Sequence, residues 1–187
     1  MRPRRSLIVW LIIIAVSAAA LHVVRDDVPW SHVRLPWISV PIGATVAGHA
    51  RVIDGDSIEI KGSRIRLHGI DAPEGRQECR DRAGRPYACG RAATRALIAA
   101  IAGRTVTCKA VEHDRYERDV AICSVDGSDL GDTMVRAGHA LDYPQHSRGR
   151  YAEAERDARA ARRGLWDGTF EEPAAWRRLH GDLLDGS

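Results

Sequence analysis

Residues Val52 to Glu74 read VIDGDSIEIKGSRIRLHGIDAPE, and the rest of the chain is organised around them. Alternation in Ser57-Ile58-Glu59-Ile60 and again in Arg64-Ile65-Arg66-Leu67-His68 predicts two strands joined by a tight turn at Lys61-Gly62-Ser63. Pairing these strands returns Asp54 and Asp56 to the same end of the hairpin as Asp71 and Glu74. Four carboxylates gathered there repel one another, so a positive partner is expected between them. A hard cation with oxygen ligands meets that need. Ile65 and Leu67 point to the core in this reading, which turns Arg66 to the opposite, polar face.

A solvated hairpin with acidic ends accounts for Asp-Gly-Asp on its own, because turns favour Asp and Gly. The longer combination is more specific. It resembles the staphylococcal nuclease (thermonuclease-like) family, whose pattern is a strand, Asp-Gly-Asp-Thr/Ser, a strand bearing an Arg, then Asp-x-Pro-Glu. The family's second arginine lies in an Asp-x-Tyr-x-Arg segment, which Asp114-Arg115-Tyr116-Glu117-Arg118 supplies here. Two positions depart from the pattern: Ala72 stands where the best-known members have Thr, and Glu117 where Gly is usual.

The resemblance covers roughly Ala44 to Trp166 and implies a calcium-dependent nuclease acting on single-stranded DNA or RNA. Arg66 and Arg118 then match the phosphate-binding arginines and Glu74 the catalytic glutamate. Asp56 and Asp71, with the Ala72 carbonyl, match the calcium ligands, and Asp54 an acid behind them. The chemistry is coherent. An in-line attack on a phosphodiester gathers charge on the equatorial oxygens, which planar guanidinium forks hold bidentately. Glu74 can accept a proton from the attacking water or position that water. Tyr143 is a candidate for base stacking, and core packing explains it equally well. The alternative from another class is a non-catalytic nucleic-acid-binding module on the same fold.

The formal charge of +3 comes from Arg2, Arg4 and Arg5; from Leu21 onward basic and acidic residues balance at 25 each. Global charge therefore makes no case for nucleic acid, and only local clustering can. Residues 1–24 form a basic start followed by an apolar run from Leu7 to Val24. Ala18-x-Ala20 offers a signal-peptide cleavage site, while the apolar length from Ser6 just suffices for an uncleaved transmembrane anchor. The basic residues stay cytoplasmic in either case. The expected location is thus an inner-membrane anchor facing the periplasm or exterior, or secretion after cleavage.

Residues 25–43, with Asp26-Asp27, Trp30, Trp37 and several prolines, read as a linker. The domain is expected over 44–168 and a loosely packed tail over 169–187, the whole a monomer. Its class is α+β: a five-stranded OB-fold barrel with about three helices. The helices are expected at Gly90–Gly103, with Ala93, Leu97, Ile98 and Ile101 on one face; at Asp129–Ala137; and from about Arg150 to Arg163, with Tyr151, Ala154, Ala158 and Ala161 inward. Thr105–Glu112 and Asp119–Val125 form a hairpin. Centred between Arg115 and Tyr116, it opposes Val111 to Val120, Ala110 to Ala121 and Cys108 to Cys123.

The four cysteines lack the paired Cys-x-x-Cys spacing of a zinc site. The hairpin register pairs Cys108 with Cys123. Cys79 and Cys89 bracket a polar loop that a disulfide closes, as an oxidising compartment permits.

Overall fold

A strand bent at Ala50 leads into the domain, as β1 (Thr45–His49) and β2 (Arg51–Val52). The computed structural model describes residues 39–180. The apolar segment 1–24, most of the linker with Trp30 and Trp37, and the end of the tail lie outside the described residues. Among the described residues, no helix is long and apolar enough to cross a membrane.

The predicted central hairpin is β3 (Ser57–Ile60) and β4 (Ser63–Leu67). Ser57 lies opposite Arg66, Ile58 opposite Ile65 and Ile60 opposite Ser63. The loop is therefore only Lys61-Gly62, both at positive φ (52° and 85°), as a two-residue turn matched to strand twist requires. Ser63 belongs to the strand rather than to the turn. Short β5 (Ile70–Asp71) follows, then β6 (Cys79–Arg80) paired with β7 (Pro86–Tyr87).

The second long hairpin is β8 (Thr105–His113) with β9 (Asp119–Val125). Cys108 opposes Cys123 and Ala110 opposes Ala121, as the symmetric register predicts. Beyond them the register slips, so that Glu112 and not Val111 faces Val120. Val111 is the extra residue of a bulge, a feature that symmetry about the turn could not reveal. The predicted disulfides Cys108–Cys123 and Cys79–Cys89 are both formed, with Cα separations of 4.0 and 5.6 Å.

The strands run in the order β1-β8-β9-β4-β3-β2, with β4 and β9 parallel and the other neighbours antiparallel. The path begins and ends on the two halves of one bent strand, so the sheet curls back upon itself. This is the α+β, OB-like architecture expected, with β1 and β2 counted as one of five strands. Two-residue β10 (Ser128–Asp129) hangs on β9, and β11 (Leu141–Asp142) pairs with β5.

Helix α1 (Cys89–Ile101) covers the sheet through Ala93, Leu97 and Ile101. Ile98, expected on that face, is exposed instead. Ala102, at φ 48°, is the left-handed closing residue, and its N–H bonds to the Ile98 carbonyl; Gly103 follows it. Helix α2 (Leu130–Arg136) is capped by Asp129, whose carboxylate accepts from the N–H groups of Gly131 and Asp132.

A single-turn helix α3 (Pro144–Ser147) is additional to expectation, and α4 (Ala152–Ala160) is shorter than predicted at both ends. Ala154 and Ala158 are buried but Ala161 is exposed, because the helix has already ended. A 3-10 turn (Gly164–Asp167) leads to α5 (Pro173–His180), a helix in what reads as a loose tail. The core contains Ile58, Ile60, Ile65, Leu67, Leu97 and Met134. Each such buried side chain stabilises by roughly 1.5–3 kcal/mol.

Candidate active site

The Asp-Gly-Asp turn sits under α1. Ile53 N–H and Asp54 N–H both donate to the Ser57 carbonyl, at 2.9 and 3.3 Å, and Leu67 N–H donates to the Asp56 carbonyl at 2.8 Å. These bonds fix Asp56 at the end of the β3–β4 hairpin. A Cβ at Gly55 would approach the Ala93 and Ala72 methyls to 2.7 and 2.8 Å. Only glycine lets the turn pass between helix and β5.

Arg66 turns to the polar face, as the alternation requires. Its guanidinium reaches Asp56 at 2.9 Å and Asp71 at 2.9 Å. Both carboxylates are almost fully buried, each residue 4 % exposed. Asp56 also accepts from the Ala72 N–H at 3.2 Å and the Ser57 hydroxyl at 3.0 Å. Asp54 stands behind, its carboxylate accepting from the Asp56 N–H at 3.0 Å. Burial, reinforced by the charge of Asp56, pushes the Asp54 carboxyl up to about 7. Burial would lower Arg66, but Asp56 and Asp71 outweigh it and hold the guanidinium's pKa above its ordinary value.

Glu74 and Asp71 are joined by a residue that spacing did not single out. Arg177, on α5, donates to Glu74 Oε1 at 2.7 Å and to the two Asp71 oxygens at 2.9 and 3.1 Å. Burial pushes Asp71 and Glu74 above the usual carboxylate range, and the Arg177 contact opposes this without cancelling it. The positive charge expected among the four carboxylates is thus supplied by two guanidinium groups. Nothing in the sequence separates Arg177 from its neighbour Arg178; the burial of Trp176 and Pro173 is what orients the helix.

Gln77 is a second unpredicted member. It is fully buried, and its side-chain carbonyl accepts from the Glu74 N–H at 3.1 Å. Its own N–H donates to the Glu74 carbonyl at 2.7 Å.

Arg118 sits apart from this cluster, held in its turn by Asp114. Its Nε donates to Asp114 Oδ2 at 2.7 Å, while Asp114 Oδ1 accepts from the N–H groups of Tyr116 and Arg118. Its guanidinium also lies 5.5 Å from the exposed Tyr116 ring. Arg66 is in register with Val120 on the neighbouring parallel strand, two residues beyond Arg118. Arg118 itself lies in the turn, one residue ahead of β9, which begins at Asp119 beside Ile65. Glu117, where a glycine is usual, has φ 59°.

Tyr143 follows β11, and its N–H donates to the Gly69 carbonyl just ahead of β5. Its ring lies 4.8 Å from that of His146.

Among the described residues, no group of three or more His, Cys, Asp or Glu side chains is arranged to hold a metal ion. The donor chemistry at Asp56 and Asp71 nevertheless suits a hard cation, since the two buried carboxylates and the adjacent Ala72 carbonyl are all oxygen donors.

A family model described as staphylococcal nuclease homologue matches residues 64–168. Among curated relatives, a succinoglycan biosynthesis protein of Rhizobium meliloti is 39 % identical over 134 residues, covering 71 % of this chain and 70 % of the relative. An uncharacterized endonuclease of Escherichia coli O157:H7 is 37 % identical over 134 residues, 68 % of this chain and 81 % of the relative. A probable staphylococcal-like nuclease of rice is 34 % identical over 125 residues, which is 66 % of this chain but only 30 % of that protein.

Proposed function

Because the chain belongs to the staphylococcal nuclease homologue family, we propose that it hydrolyses phosphodiester bonds of single-stranded DNA or RNA in a calcium-dependent reaction. The observation that carries this reading is the union of Arg66, Asp56, Asp71 and Glu74 in one hydrogen-bonded cluster at the end of the central hairpin.

In this reading Arg66 and Arg118 hold the non-bridging phosphate oxygens. Each guanidinium must exchange a carboxylate partner for phosphate, and the bidentate fork suits both acceptors. Glu74 takes the proton of the attacking water as its oxygen bonds to phosphorus, and the P–O bond to the leaving oxygen breaks in line. A Glu74 carboxyl whose pKa is raised by burial is a better proton acceptor than an exposed one. Asp56, Asp71 and the Ala72 carbonyl would hold the calcium ion, with Asp54 behind them. When bound, it supplies charge neutralisation at the phosphate.

The full-length protein, incubated with labelled single-stranded DNA and RNA in calcium or in chelator, tests the proposal. Cleavage in calcium alone is expected. Glu74→Gln should slow turnover by roughly 10²-fold or more, and Arg118→Lys should be severe because it keeps charge but loses the fork. A Glu74→Gln protein that cleaves at the wild-type rate would overturn the catalytic assignment. A wild type that binds strands without cleaving them would make the chain a binding module.

We place the domain outside the cytoplasm, tethered or released, on the strength of the basic, apolar start and the two disulfides. A reporter fused after Ser187 and active only in the cytoplasm would refute that placement.

A further inference from the structure

Residues 169–180 lie beyond the 64–168 segment that matches the family, yet they reach its candidate site along two routes. One is the Arg177 guanidinium, which bridges Asp71 and Glu74. The other is Gln77, whose amide donates to the Glu171 carbonyl at 2.7 Å while its side-chain oxygen accepts from the Glu74 N–H. The carboxylate and the backbone of Glu74 are therefore both tied to the same arm.

The arm is built into the domain rather than laid over it. Arg80 and Thr169 exchange two backbone hydrogen bonds of 2.9 Å. Phe170 packs edge-on against Trp166 at 5.0 Å between ring centroids. Pro173 and Trp176 are buried, which fixes the helix one residue before Arg177. The next residue, Arg178, is exposed.

We infer that Arg177 is a positioning residue of the site, which holds the carboxylates of Glu74 and Asp71 in one orientation and makes the C-terminal arm part of the catalytic unit. The inference deepens the nuclease reading given above and rests on it for its kinetic consequence. A glutamate side chain has several rotatable bonds, and a carboxylate left free at the rim of a cluster of like charges swings outward. A guanidinium fork anchored by a buried tryptophan removes that freedom before substrate arrives. Misplacement of a reacting group by about 1 Å can cost up to 10²-fold in rate. Both terminal nitrogens of Arg177 are engaged by Asp71 and Glu74, so as a positioning residue its loss should fall on turnover rather than on substrate affinity.

The test uses the full-length protein with Arg177→Gln, Arg177→Lys and, as a surface control, Arg178→Gln. Arg177→Gln should lower kcat about tenfold or more while KM for a single-stranded oligonucleotide stays within about threefold. Arg177→Lys should recover part of the loss, and Arg178→Gln should behave as wild type. A readout independent of activity is a thermal double-mutant cycle of Arg177→Gln with Glu74→Gln. The Tm changes should depart from additivity by at least about 2 °C, because the two side chains share a bond. Unchanged or increased kcat in Arg177→Gln, or additive Tm shifts, would overturn the inference while leaving the nuclease reading standing. A wild type that cleaves nothing overturns the nuclease reading and the kinetic half of the inference, and the Tm cycle then decides whether Arg177 holds Glu74.

Discussion

The Cα of Gly90 lies so close to the carbonyl of Glu74 that a Cβ there would overlap the oxygen. Gly90 is in the first turn of α1, immediately after the disulfide-bonded Cys89. The start of the helix is thereby pressed against the backbone of the candidate catalytic glutamate. Gly90→Ala should push the Glu74 loop away at a cost of about 1–3 kcal/mol, the range for overpacking. Turnover should fall by roughly tenfold or more through displacement alone. Paired measurements of Tm and cleavage rate on Gly90→Ala check this; a variant with wild-type rate would show that the loop tolerates the shift.

Glu117 occupies a left-handed conformation at φ 59°, in which a side chain with a Cβ is strained and glycine is not. The sequence shows only that a glycine is missing. The structure shows that Glu117 adopts the left-handed conformation itself, in a turn closed by Asp114 through the N–H groups of Tyr116 and Arg118. Glu117→Gly should therefore stabilise the protein by about 1 kcal/mol and leave cleavage intact. Thermal unfolding of the variant checks it, and a fall in Tm would mean that the Glu117 side chain makes a compensating interaction.

Legibility followed the range of the interactions. The hairpins, the α1 and α2 cores and both cysteine pairs depend on local alternation or on spacing within a short loop, and each was readable from the sequence. Asp56, Arg66 and Asp71 meet because the hairpin returns, so their proximity was readable too. The Val111 bulge was not, since a register symmetric about a turn contains no extra residue. Periodicity alone places Ile98 and Ala161 inward; Ile98 instead lies beside the buried stripe of Ala93, Leu97 and Ile101, and Ala161 lies past the last residue of α4. Arg177 was unreadable for a different reason. Its contact with Glu74 spans 103 positions and depends on where Trp176 docks, which no local pattern encodes.

The hairpin disulfide should contribute more to stability than its burial alone. Cys108 and Cys123 are both buried in the core and are separated by 15 positions. Closing a loop of that size restricts the unfolded chain by about 3 kcal/mol on the chain-entropy account. The double variant Cys108→Ala/Cys123→Ala should lose about that much in denaturant unfolding. Mass mapping without reduction should recover 79–89 and 108–123 peptides, and a crossed pairing would contradict the structure.

Two histidines should make the protein less stable as pH falls through the range just below 6.5. Burial lowers the pKa of His68 against the opposing charge of Glu112, with His146 and Arg150 also lowering it and Asp129 raising it. Its Nδ1 is among the buried atoms that have no hydrogen-bond partner, which suits a neutral ring. Burial, followed by the charge of Arg95, lowers His139 in the same direction. Between the folded values and 6.5 the unfolded chain binds more protons than the folded one, so stability rises with pH across that window. The contribution is complete above about 6.5 and is lost as pH falls through the lower, folded values. Asp54 acts in the opposite sense: its carboxyl is raised to about 7, so its share of stability declines as pH rises from 3.8 toward that value. The wild-type profile therefore mixes both slopes, and only variants separate them. The gain in denaturant midpoint from pH 5.5 to 7.5 should shrink in the double variant His68→Gln/His139→Gln and grow in Asp54→Asn. If the histidine variant keeps the wild-type difference, neither ring is held neutral by the fold.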